Sequence, residues 1–213
     1  MLISANEIQS ILTQYGISVT GVLHIGAHDC EELGIYQSLG IAPEQVIWID
    51  AMSNKVEQAT KRGIPNVYHA VISDQNDTEV VFHVANNGQS SSILEMGTHS
   101  SEYPDIFYVN TLIQRSTTLS SFFQTHGLDS SRYSFWNFDI QGAELLALKG
   151  GEALLPHVTA IYLEVNQAEL YIGCGKIGEV DEFLSTHGFT RMLTRMTGHG
   201  WGDALYVRTH NKA

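Results

Sequence analysis

The chain has 213 residues, 43% of them hydrophobic, enough for one substantial core at the usual domain size of about 100–200 residues. Lysine and arginine together number 11 against 23 aspartates and glutamates, a formal net charge of −12. A surface of that sign repels phosphate backbones and anionic lipid, which argues against nucleic acid or a membrane surface as the main partner.

Residues 1–7 carry neither a basic stretch nor an apolar one, and no apolar run approaches the ~18 residues of a membrane span. A soluble, unsecreted, cytoplasmic protein is expected. Cys30 and Cys174 are too few for a disulfide framework and read as free thiols.

Ser4 and Glu7 have the spacing of a capping box ahead of Ile8, Ile11 and Leu12, so a first helix is predicted to about Gly16. An apolar run over 21–26 closed by Gly26, a helical pattern over 31–39 and a second apolar run over 46–50 make a βαβ unit. A helix over 55–62 and a strand over 67–72 follow. The turn formers Asp74 to Asp77 then lead into an extended run over 79–84, read as a hairpin addition. Residues 85–102, rich in Asn, Gly and Ser, read as a loop near the site, because Ile93, Leu94 and Met96 give it something to bury. Beyond it the alternation resumes with a helix at 119–125, a strand at 134–139, a helix at 143–149 and a strand at 160–165. A helix at 177–186 and two strands, 189–195 and 204–208, complete the chain. A short glycine-rich loop joins those last two strands, which makes them antiparallel. The expected fold is a single α/β domain over 1–213, a doubly wound, mostly parallel sheet ending in an antiparallel strand pair.

Open α/β sheets bind ligands outside the carboxyl ends of their strands. Gly26 permits close backbone approach there, and the helix after it offers N-terminal amides. Asp50, 24 residues on at the end of the second strand, is placed to accept both ribose hydroxyls. A dinucleotide or S-adenosylmethionine satisfies this geometry. The G-x-G-x-x-G fingerprint of the former requires glycines where His28 and Glu31 stand, which lowers the nicotinamide reading. Asp139 and Glu164, at two further strand ends, suit a general base, a contact to a cofactor amino group, or, with Asn166, a divalent cation. Asp139 as a helix cap and Glu164 as a surface residue are the plain alternatives. His24 and His28 straddle a strand and a turn and lack a cysteine partner, so zinc is not indicated, and His28 is assigned to the cofactor turn. His199, in the last glycine-rich loop, is a candidate to overhang the acceptor, against the plainer reading of a solvated loop histidine.

These segments resemble the FkbM-type methyltransferases, a branch of the class I S-adenosylmethionine enzymes. The resemblance is carried by residues 22–28, by 66–74, by 86–94, and above all by Asn137 to Gly150, which looks like the family's D-x-E-G-A-E-x-x-x-L-K-G signature. It extends over roughly residues 20–210. Gln141 stands where that signature has Glu, and Asp50-Ala51 where a Glu-Pro pair is common. The resemblance implies a Rossmann-like fold and transfer of a methyl group from S-adenosylmethionine to a hydroxyl of a sugar or small hydroxylated metabolite. It further implies that Ala51, Ser73, Asp74, Ser91 and Ser92 lie near the cofactor with Gly26, His28, Asp50 and Asp139. Asp139, then Glu164, are the candidate bases. A nicotinamide oxidoreductase and a non-catalytic nucleotide-binding module remain the alternatives.

Overall fold

The computed structural model describes residues 1–209; the last four residues of the predicted domain lie outside the described residues. Helix α1 (Ala5–Gln14) opens with the predicted capping box: Ser4 Oγ accepts from the Glu7 amide at 3.4 Å and the Ser4 amide donates to Glu7 Oε2 at 2.9 Å. Strands β1 (Val22–Ile25), β2 (Val46–Asp50) and β3 (Val67–His69) are parallel, with α2 (Leu33–Ser38) and α3 (Ser53–Lys61) as crossovers.

The predicted strand over 67–72 breaks at Ala70, whose amide donates to the Asp50 carbonyl at 3.1 Å. Its second part, β4 (Val71–Ile72), leaves the main sheet and pairs in parallel with β6 (Tyr108–Thr117). The predicted hairpin is corrected by the same strand. The partner of β5 (Glu79–Ala85) is β6, in antiparallel register from Glu79 opposite Arg115 to Ala85 opposite Tyr108, and the three make a small sheet in order β4-β6-β5. Most of β6 is solvent-exposed, so it lacks the alternating apolar face that marks a strand in sequence. The loop 86–98 precedes one helical turn, α4 (His99–Glu102), and is pinned by backbone bonds between His83 and Ser92 at 2.8 and 3.1 Å.

The second half follows the predicted alternation: α5 (Leu119–Thr125), β7 (Phe135–Phe138), α6 (Glu144–Gly150), β8 (Ala160–Asn166), α7 (Ile177–Thr186), then β9 (Phe189–Met196) and β10 (Trp201–Arg208). The main sheet runs β3-β2-β1-β7-β8-β10-β9, parallel except for β10, which is antiparallel to both neighbours. Strands β1, β2, β7 and β8 are buried along their whole length because helices cover both faces, which explains their unbroken apolar runs. One face packs Ile25, Ile49, Trp136 and Leu163 with Phe122, Leu148 and Leu184; the other packs Trp48, Phe135 and Tyr162 with Ile8, Leu12 and Tyr36. Strand order reverses between β1 and β7, and a cleft lies at their carboxyl ends. Cys30 and Cys174 are buried free thiols. No helix among the described residues is long and apolar enough to cross a membrane.

Candidate active site

The cleft floor is made by Gly26 and Asp139, the residues that follow β1 and β7. Gly26 has φ +90°, and a Cβ there would lie 1.8 Å from the Asp139 carbonyl oxygen. The close approach that demands glycine is therefore to the neighbouring strand end as well as to the cleft. Asp50, 7% exposed, accepts from the His28 amide on Oδ2 and from the Met52 amide on Oδ1, both at 2.7 Å. Burial raises its carboxyl above the ordinary value while those two amides hold it down. His28 (φ +41°) takes the Lys55 ammonium on Nε2 at 2.8 Å and meets Glu31 through Nδ1 at 3.0 Å, consistent with a proton on Nδ1.

Two neighbouring spaces share this floor. The narrower, about 570 Å³ and partly open to solvent, has apolar walls from Met52, Val71, Ile72, Phe82, Ile93 and Ile140, with Asp50 and Asp139 as its acids. The wider, about 1250 Å³, is lined by Glu31, Glu32, Asp139, Glu164 and Asp203 and by His99, Tyr103 and Trp201, without a lysine or arginine side chain. Gly26, His28, Gln89 and Asp139 border both.

The acids at the junction are tied together. Gln141 Nε2 donates to Asp139 Oδ1 at 2.7 Å and to Glu164 Oε2 at 2.9 Å, while Gln141 Oε1 accepts from the Tyr171 hydroxyl at 2.7 Å. Glu144 Oε1 accepts from the Ile140 and Gly142 amides at 3.0 and 3.2 Å. Asp203 is held by the Tyr162 hydroxyl and the Leu2 amide. Desolvation at the cleft floor pushes the Asp139 carboxyl up, with Asp203 adding to it; burial pushes Glu164 well above the usual range, with Asp139 next. Acids this close raise one another's affinity for a proton, which the Met1 amino terminus and His28 on the same lining only partly offset.

The predicted site residues separate into two groups. Gly26, His28, Asp50, Ala51, Ser91 and Asp139 line the narrow space, and Glu164 joins Asp139 in the wide one. Ser91 acts within its own loop, its hydroxyl donating to the Gly88 carbonyl at 2.7 Å and accepting from the Ala85 amide at 3.0 Å. Ser92 is buried and donates to the Gln141 carbonyl at 2.8 Å, which fastens the loop to the acid turn. Ser73 and Asp74 do not reach the narrow space. Ser73 is buried with its hydroxyl on Asp74 Oδ1 at 3.2 Å, and Asp74 lines a separate groove beside Lys149 and Gly150. A Cβ on Gly150 would lie 2.1 Å from the Ser73 carbonyl oxygen, so the signature's final glycine and the 66–74 segment are joined by packing.

His199 also falls away from the cleft lining: its side chain is 46% exposed, with Nδ1 2.7 Å from Glu102 Oε2 and its ring against Tyr103. The histidine that does line the wide space is His99, 4% exposed, packed between the rings of Tyr103 and Tyr171, with Nδ1 unpartnered and its basicity lowered by burial. Asn166 is fully buried at the end of β8, and neither polar atom of its amide has a partner. Among the described residues Asp139 and Glu164 form no three-residue metal cluster with a third acid, histidine or cysteine. The group that converges among the described residues is His28, Asp29 and Glu31, where the Lys55 ammonium already sits on His28 and on Asp29 Oδ1 at 3.1 Å. Sequence places residues 85–102 near the site but does not show that Gln89 and His99 line it; Tyr103 and Trp201, far apart in the chain, meet at the wide space only through the fold.

The strand order with its reversed β10, and the cleft at the switch point with an acid ending β2, make a doubly wound, Rossmann-like α/β fold. The sequence model of the methyltransferase FkbM domain matches residues 20–191, and the chain belongs to that family. Among solved structures it is similar to an uncharacterized protein from Listeria monocytogenes serotype 4b at 10% identity, with a TM-score of 0.50 over 98% of this chain and 68% of that one. It is also similar to a SAM dependent methyltransferase from Aquifex aeolicus at 15% identity, with a TM-score of 0.45 over 98% of this chain and 91% of that one. Likeness at these identities concerns the fold alone. No curated protein sequence matches the chain.

Proposed function

We propose that the chain transfers a methyl group from S-adenosylmethionine to a hydroxyl of a sugar or small hydroxylated metabolite. The observation that carries this reading is the division of the cleft at Asp139 into an apolar slot with Asp50 on its wall and a wider space walled by carboxylates and aromatic rings. Asp50 would hold the ribose: each of its oxygens spends one lone pair on a backbone amide and keeps another for a hydroxyl. Met52, Val71, Ile72 and Ile140 would cover the adenine. The cofactor supplies a methyl group made electrophilic by its sulfonium.

Asp139, open to the wide space and with its carboxyl raised by desolvation, accepts the proton of the acceptor hydroxyl, with Glu164 as the second candidate. Most of the remaining rate enhancement comes from alignment of the acceptor oxygen with the methyl carbon. The acidic, lysine-free and arginine-free lining of the wide space supports an uncharged hydroxylated acceptor over a phosphorylated one, and Tyr103 and Trp201 offer faces for a sugar ring.

Parallel calorimetric titrations with S-adenosylhomocysteine and NAD test the cofactor. Binding of the first alone is expected, and binding of NAD instead would overturn the reading. Radiolabelled methyl transfer over neutral and phosphorylated mono- and oligosaccharides tests the acceptor, with label expected on neutral sugars; label confined to phosphorylated ones would refute the acceptor class. Binding of S-adenosylhomocysteine without transfer to any acceptor would favour a non-catalytic nucleotide-binding module.

A further inference from the structure

Gln141 occupies the turn between β7 and α6 with φ +56°, a left-handed conformation that side chains rarely adopt. The turn delivers its amide to the middle of the cleft's acid group. Nε2 lies 2.7 Å from Asp139 Oδ1 and 2.9 Å from Glu164 Oε2, so both N–H bonds are spent on the two carboxylates. Oε1 is turned away and takes the Tyr171 hydroxyl at 2.7 Å, and the backbone carbonyl takes Ser92 Oγ at 2.8 Å. One residue thus links the acid pair, the 86–98 loop and the Tyr171 segment.

We propose that Gln141 is the positioning residue of the acid pair, its neutral amide holding Asp139 and Glu164 together in the place a bridging divalent cation would take. Two carboxyl groups brought within reach of a single point repel once both ionise, which adds to the burial that raises Glu164, and the amide's two hydrogens offset that repulsion without a metal. A side chain of the same length ending in a carboxylate would replace both attractive contacts with repulsive ones. It would also complete a set of three carboxylates, the all-oxygen chemistry that hard divalent cations accept. Because Nε2 faces the two carboxylates, the carbonyl oxygen of Gln141 is turned to Tyr171 and does not offer the third ligand. This inference rests on the methyl-transfer reading only for what the acid pair does, since the metal behaviour of the pair is measurable without an acceptor.

The test compares wild type, Gln141→Glu and Gln141→Met by calorimetry with manganese chloride, each also assayed for S-adenosylhomocysteine affinity and thermal unfolding. Wild type should bind no manganese at about 1 mM, the weak end of biological cation sites, whereas folded Gln141→Glu should bind one ion per chain. Gln141→Met keeps the side-chain length but loses the amide. With a responsive acceptor in hand, it should lower turnover at least about tenfold, a typical loss for a supporting residue, with its unfolding midpoint close to wild type. Stoichiometric manganese binding by wild type would overturn the proposal, as would loss of wild-type transfer to a chelator. So would a folded Gln141→Glu that binds no manganese, or a Gln141→Met with full turnover. Failure of S-adenosylhomocysteine to bind wild type would strike at the methyltransferase reading instead, leaving the manganese result to decide the role of Gln141.

Discussion

Replacing Glu144 by glutamine should stabilise the protein at alkaline pH and do little in acid. Glu144 is buried at the start of α6, and burial, before the added effect of Asp139, pushes its carboxyl from the usual 4.5 up to about 7. Below pH 4.5 the group is neutral in folded and unfolded chains alike. As pH rises, the unfolded chain ionises first, so the folded state loses stability until it too ionises near pH 7. At about 1.4 kcal/mol per pH unit, the gap amounts to roughly 1 kcal/mol by pH 5 and roughly 3 kcal/mol by pH 8. A glutamine Oε1 can still accept from the Ile140 and Gly142 amides, so the turn keeps its shape. Glu144→Gln should therefore melt roughly 6–12 °C above wild type at pH 8, with the advantage shrinking toward pH 5. Thermal or urea unfolding from pH 5.5 to 8.5 reads this as a difference between two curves, in which Glu164, Asp139 and His24 titrate on both sides. Parallel curves across the range would refute the reasoning.

Asp50→Ala should weaken S-adenosylhomocysteine binding by about tenfold or more, the loss of charge-assisted hydrogen bonds worth roughly 1.5–3 kcal/mol; unchanged affinity in calorimetry would remove Asp50 from the site. Asp139→Asn and Glu164→Gln keep shape and remove charge. Loss of the base should cost ~10²–10⁴ in turnover with cofactor affinity nearly intact, and full turnover in both variants would dismiss the proposed centre. His99→Phe preserves the packing between Tyr103 and Tyr171 and removes the unpartnered Nδ1, so its melting point should hold while acceptor turnover falls; wild-type kinetics would show that His99 only fills space.

The main sheet was legible because its strands are buried on both faces. Runs such as Val46 to Asp50 and Ala160 to Val165 have no competing interpretation as amphipathic helices, and caps such as Ser4 with Glu7 mark where a helix begins. The small sheet was not legible, for the opposite reason. Val109, Leu112 and Ile113 of β6 face solvent, and a strand without a buried face carries no alternation to read. Ala70 likewise sends β3 and β4 into different sheets inside one apolar run, a decision taken by pairing with Asp50 and β6 that local sequence does not record.

The candidate site divides along the same line. Gly26, Asp50 and Asp139 were found because each ends a strand, and strand ends are where topology forces ligand chemistry to gather. What sequence spacing does not carry is which of two similar groups faces inward. His99 and His199 both border glycine-rich loops, yet His99 is held between two tyrosines at the cleft while His199 pairs with Glu102 outside its lining. Gln141 shows the limit most plainly. As a departure from the family signature it looked like a lost carboxylate, and its position gave no hint of a contact, because Glu164 lies 23 residues away on another strand. Only the fold brings Glu164 beside Asp139, and once the two acids are adjacent a neutral donor between them is the substitution that keeps the pair together without a cation.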